Sequence, residues 1–283
     1  MELLDLVERR MVDLIAPSCS RDEGERTDAV RAASYHLASG GQRVRARLAL
    51  SSGKALGLSD DDAICIASCA ELLHNASLIH DDLQDGQQFR RGVETVSAAY
   101  GRHIAICTGD LLLSAAYAAL SHFGNPRLFP ALISLVHERT SSVINGQCAG
   151  LIPTGRAVAD MALYERIAAA KSGSLLSLPM ELALAGSSNR EWIEEARLAA
   201  EHFAVGYQIV DDMDDIEQDE GSLSVNAVLV LKASEQGDLR RSLSKAREYC
   251  HFHLDQAIAR CGGLPEGSGA LLQELAQKLR DRL

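Results

Sequence analysis

Apolar residues recur every three to four positions along nearly the whole chain, and the breaks between these runs fall at Gly, Pro and Asn clusters. That periodicity predicts helices over residues 2–16, 25–39, 43–57, 60–84, 95–122, 127–150, 158–186, 190–217, 237–260 and 269–282. Pro17, Gly40-Gly41, Gly124-Asn125-Pro126, Pro153 to Gly155, Gly186 and the run from Gly262 to Gly267 supply the turns between them. An aromatic share of 4% and only six prolines, set against abundant Ala and Leu, favour helix over strands rich in aromatic and β-branched side chains. Without strand–helix alternation or an internal repeat, one all-α domain over residues 1–283 is the simplest account. The stretches 60–80 and 103–120 are apolar on most of their circumference, as expected of central helices in a bundle, which can enclose a deep pocket.

Charge narrows the function classes. With 28 basic and 39 acidic residues the net charge is -11, which repels phosphate backbones and argues against nucleic acid as a partner. Such a chain can still bind an anionic ligand when metal ions stand between them. The first ten residues carry charges throughout, unlike a secretory signal, and the weakly polar stretch from Ile104 to Leu120 is interrupted by Asp110. The expectation is a cytoplasmic protein without a membrane span. Seven irregularly spaced cysteines then read as reduced thiols. Cys65 and Cys69 lie one helical turn apart among apolar neighbours and read as core rather than metal ligands, and His251 and His253 read as an ordinary helix surface.

Two acidic clusters carry the chemical signal. At His80-Asp81-Asp82-Leu83-Gln84-Asp85 a long apolar helix ends in three carboxylates, with Asp81 and Asp85 on one face and Asp82 about 100° round from Asp81. The pattern returns at Gln208-Ile209-Val210-Asp211-Asp212-Met213-Asp214-Asp215, again at the end of an amphipathic helix. A lone acidic helix end is ordinarily a solvated surface. Two of them could converge across the mouth of a bundle, where magnesium fits: it takes oxygen ligands and is commonly held by one or two carboxylates plus substrate phosphates. Cations stand where a diphosphate would need them, in Arg90-Arg91-Gly92, in Gly40-Gly41-Gln42-Arg43-Val44-Arg45, and in Lys171-Ser172-Gly173, where a cation and a breaker interrupt an apolar helix.

Taken together these segments resemble the trans-isoprenyl diphosphate synthases, or polyprenyl synthetases. The resemblance runs from about Gly40 to Asp215 in the family's own order. It comprises the 40–45 segment, Glu71-Leu72-Leu73-His74 leading into His80 to Asp85, Arg90-Arg91-Gly92, Gly109-Asp110, Gly146-Gln147, Lys171-Ser172, and Gly206-Tyr207-Gln208 before Asp211-Asp212. It implies the isoprenoid synthase helical bundle with a central substrate cavity, normally a homodimer. It also implies head-to-tail condensation of isopentenyl diphosphate with an allylic diphosphate. By the resemblance, Asp81, Asp82, Asp85, Asp211, Asp212 and Asp215 hold Mg2+ against the allylic diphosphate, with Arg90 and Lys171 on the same group. Arg45, His74 and Arg91 fall to isopentenyl diphosphate, and Gln42, Ser172 and Gln208 are further substrate-binding positions. Asp81, Asp82, Lys171 and Asp211 are the positions expected to carry catalysis.

The chain departs from the family pattern in its cations. Gln42 replaces a usual Lys, Gly221-Ser222-Leu223-Ser224 replaces a Gly-Lys, and a lysine expected near Asn226 is missing. These losses motivate an alternative: a non-catalytic or regulatory subunit of a heteromeric synthase. The positions four and five residues ahead of the first cluster are Ser77 and Ala76, both small. The pocket floor then lies deeper, at Leu73 or at Tyr117 and Ala118, which favours a C20 product, geranylgeranyl diphosphate, over C15 farnesyl diphosphate.

Overall fold

The computed structural model describes residues 2–16, 27–150, 160–219, 225–234 and 237–283, the side chains of 218, 219 and 234 excepted. It forms two compact units, Met1–Ser134 and Leu135–Leu283. The turns expected at Pro17 and Pro153 to Gly155, and the 221–224 segment, lie outside the described residues.

The first unit contains α1 (Leu3–Ile15), α2 (Asp28–Ala38), α3 (Val44–Ala55), α4 (Asp60–Gln84), α5 (Val96–Tyr100) and α6 (Arg102–Leu120), with a short hairpin of β1 (Phe89–Arg90) and β2 (Val93–Glu94). α4 is the axis, packing against α1, α3 and α6. Its start follows from local chemistry. The Ser59 hydroxyl accepts from the Asp62 N–H at 3.1 Å, and Asp60, Asp61 and Asp62 lie on the positive end of the helix dipole. Its 25 residues span about 37 Å. From Ala63 to Leu73 every side chain is buried, including Cys65 and Cys69, which are core thiols. One helix is expected over 95–122, but Gly101, at φ 84°, ends α5 and turns the chain into α6.

By length and composition, α4 and α6 are both apolar enough to cross a bilayer, contrary to the expectation for 104–120. Most of α4's apolar stretch is buried, whereas less than half of that of α6 is.

The second unit contains most of α7 (Phe129–Gly150), then α8 (Met161–Ala168), α9 (Ser174–Gly186), α10 (Ile193–Asp214), α11 (Ile216–Asp219), α12 (Ala227–Ser234), α13 (Leu239–Gly263) and α14 (Ala270–Arg280). α10 packs against α9, α12 and α13. The helix expected over 158–186 is three pieces: α8, a π-turn at Ala169–Gly173, and α9. His253 departs from the surface reading. It is buried, its Nδ1 lies 2.9 Å from Nδ1 of His202, and its Nε2 lies 3.4 Å from Glu165. Burial holds the His202 imidazole down to about 4, so one neutral ring donates to the other.

Candidate active site

Both acidic clusters occupy helix C-termini, where the dipole disfavours negative charge and an added cation is stabilising. Within each cluster the carboxylates divide into two kinds. Asp82 is 1% exposed, and both its oxygens accept from Arg90, with Nε at 2.8 and 3.0 Å and Nη2 at 2.7 Å. That bidentate pair ties the end of α4 to the hairpin. Asp81, by contrast, is partly exposed and Asp85 is exposed at the helix cap, one turn on and on the same face.

In the second unit Asp212 is 3% exposed and acts as a hub. It accepts from the Tyr164 hydroxyl at 2.7 Å, the Ala227 N–H at 2.7 Å and the Gln208 side-chain amide at 2.9 Å. Asn226 donates to the Asp212 carbonyl at 2.8 Å and caps α12 through Val228 N–H. Gln208, expected on substrate, thus orients Asp212. Asp211 is partly exposed and Asp215 exposed. Burial, then repulsion from Asp212, Asp215 and Asp214, pushes the Asp211 carboxyl up to about 6, with Arg282 opposing. Crowding of this kind is relieved by a divalent ion, so the residues fit magnesium. Among the described residues, no three His, Cys, Asp or Glu side chains make a metal site by themselves. Mg2+ ordinarily completes its shell with water and substrate phosphate, so an incomplete protein shell is compatible with it.

A basic cluster adjoins the first acidic end. The hairpin pairs Phe89 with Glu94 and Arg90 with Val93, leaving a two-residue turn at Arg91-Gly92 with φ 54° and 80°. The Arg91 guanidinium lies so close to Gly41 that a Cβ there would be 2.6 Å from Nη1, and it donates to the Gly40 carbonyl. Arg43, also at positive φ, is buried and bonded to Glu8 at 3.0 Å and to the Leu37 carbonyl at 2.8 Å, so it shapes the loop. Arg45 differs: its buried Nε has no hydrogen-bond partner among the described residues. Burial, then Arg45, Arg91, His36 and Arg90, holds His74 well below the usual imidazole range. Burial, then Arg91 and Arg90, holds His36 down to about 4. Two neutral imidazoles among arginines mark a region of positive potential suited to an anion. Gln42 is exposed beside it.

Lys171 sits in the π-turn, partly exposed and with no hydrogen bond or ion pair among the described residues, and Ser172 follows it. His36 is absent from the sequence-based set. Its signal, a histidine on the apolar face of α2 one turn before Gly40, is common in helical cores and points to no ligand.

The sequence model described as polyprenyl synthetase matches residues 27–227. The chain is 30% identical over 242 residues to a farnesyl diphosphate synthase of Geobacillus stearothermophilus, covering 80% of each. It is 32% identical over 262 residues to a chloroplastic geranylgeranyl pyrophosphate synthase of Capsicum annuum, covering 88% of this chain and 70% of the relative. Its fold matches the solved geranylgeranyl pyrophosphate synthetase of Geoglobus acetivorans with a TM-score of 0.85 at 26% identity, over 98% of both chains.

Proposed function

The chain belongs to the polyprenyl synthetase family, an isoprenoid synthase helical bundle, and from that premise we propose that it condenses isopentenyl diphosphate with an allylic diphosphate as a magnesium-dependent prenyltransferase. The observation that carries the reading is the basic cluster about His74: burial, with Arg45, Arg91 and Arg90, holds that imidazole neutral, and the Arg45 Nε, with the Glu71 carboxylate nearby, is buried and has no hydrogen-bond partner among the described residues, an arrangement suited to a diphosphate. We read residues 1–283 as one catalytic domain, because the matched family span, 27–227, draws on both units.

In this reading Asp81, Asp85, Asp211 and Asp215 would hold Mg2+, and Asp82 and Asp212 set the helix ends that present them. The metal, when bound, neutralises the negative charge that develops on the departing diphosphate. Lys171 and Arg90 add donors to that group, and no protein nucleophile is needed. The allylic C–O bond breaks and its electron pair leaves with the diphosphate. The double bond of isopentenyl diphosphate, its own diphosphate held by Arg45, His74 and Arg91, forms the new C–C bond. A proton then departs to the released diphosphate, restoring a double bond. Apolar walls keep water from the allylic cation.

Ala76 is buried and Ser77 turns its hydroxyl to the His74 carbonyl at 2.8 Å, so neither is a bulky stop on α4. This supports geranylgeranyl diphosphate as product, with farnesyl diphosphate second. The partly exposed apolar face of α6, with Ile106 46% exposed, supports assembly as a homodimer. Incubating the purified chain with labelled isopentenyl diphosphate, Mg2+ and each allylic primer should give a C20 product. No elongation by the chain alone, with elongation on adding a second synthase subunit, would favour the regulatory-subunit reading instead.

A further inference from the structure

Lys171 reaches its place through an unusual piece of backbone. A π-turn adds a residue to the helical repeat, which rotates the helix beyond it by about 100° relative to an uninterrupted α-helix. Such a turn is tolerated only where its surroundings hold it, and here two helices do so from opposite ends of the turn. On α7, a Cβ at Gly146 would lie 2.8 Å from both the Ala170 Cβ and the Lys171 backbone nitrogen, and 3.0 Å from the Ala170 carbonyl carbon. On α10, a Cβ at Gly173 would meet Glu201 Cα and Cγ at 3.0 Å. Glu201 is itself held by an ion pair with Arg197. The Gly146 contact is with backbone, so no rotamer change relieves it.

We infer that Gly146 is a positioning residue for Lys171: by bringing α7 into backbone contact with Ala170 and Lys171, it fixes the register of the π-turn and therefore where the ammonium points. The inference rests on the proposed role of Lys171 as a diphosphate ligand. With Ala at 146 the turn must withdraw by about 0.6 Å to reach ordinary contact, a displacement large enough to disturb a preorganised cation.

The test is a double-mutant cycle with Gly146→Ala, Lys171→Ala and the combined variant. It follows kcat/KM for the allylic diphosphate, KM for isopentenyl diphosphate, and the thermal midpoint. Lys171→Ala should lower the allylic kcat/KM by about a hundredfold. Gly146→Ala should lower it by about tenfold or more while KM for isopentenyl diphosphate stays within about twofold. The combined variant should be no worse than Lys171→Ala, because the glycine acts through the lysine. Multiplicative losses, or a Gly146→Ala enzyme with unchanged kinetics, would overturn the inference while leaving Lys171 on substrate. A fully active Lys171→Ala enzyme would overturn the reading of Lys171 itself. If Gly146→Ala does not remain folded, Gly173→Ala, with its milder crowding against Glu201, carries the same cycle from the other end of the turn.

Discussion

Asp211 and Asp212 are neighbours of the same residue type, yet their replacement should move stability in opposite directions. Asp212→Ala removes the acceptor for the buried Tyr164 hydroxyl and the buried Ala227 N–H. Stranding each costs about 1–3 kcal/mol, so the loss is about 4 kcal/mol, or about 12 °C at about 3 °C per kcal/mol for a unit of this size. Asp211→Asn acts the other way. The folded-state pKa of Asp211 is raised from 3.8 to about 6, so its ionised form opposes folding in full above pH 6, and that opposition fades as pH falls from 6 towards 4. Discounted for solvent screening at a partly exposed carboxylate, the penalty at pH 7 is about 1 kcal/mol. Asp211→Asn should therefore raise the metal-free midpoint by a few degrees at pH 7 and lose that advantage near pH 4. Trp192, the only tryptophan, lies one residue before α10 and reports the unfolding of this unit by fluorescence. Equal losses for the two variants, or an Asp212→Ala midpoint within about 3 °C of the native chain, would refute the division into a structural and a solvent-facing carboxylate.

Arg90→Ala leaves Asp82 buried without its arginine and should destabilise the first unit by about 3 kcal/mol in circular-dichroism melts. Arg90→Lys should recover little, because an ammonium cannot reproduce the bidentate contact; full recovery would reject that geometry. Gly109→Ala places a Cβ 2.2 Å from Nε2 of His80, the residue before Asp81, and should lower kcat/KM about tenfold with a midpoint loss of only a few degrees. Unchanged kinetics would show that His80 does not set Asp81. Ala76→Phe should shorten the product in chain-length analysis, and an unchanged distribution would show that this face of α4 does not line the pocket.

The helical class and most of the helix spans were legible in the sequence because a 3.6-residue apolar period and end-capping residues are local properties. The prediction for 60–84 coincides with α4, whose start Ser59 and its three aspartates announce. The candidate ligands were legible for a related reason: an aspartate cluster closing an apolar helix stands out in one dimension, and so does a cation interrupting one at Lys171. Which aspartate faces solvent and which is consumed in the fold was not legible. Asp81 and Asp82 are adjacent and chemically identical, and the arrival of Arg90 on its hairpin is what buries and binds the second. Asp212 is likewise distinguished from Asp211 by Tyr164 and Ala227, 48 and 15 residues away. The same holds for His253, whose partner His202 lies 51 residues away, and for Gly146, whose meaning is a backbone on another helix. Sequence determined which side chains could do chemistry, since pattern and residue type are carried along the chain. Tertiary structure decided which of them are left facing solvent or holding an unpartnered charge, since that depends on close contacts between residues far apart in the chain.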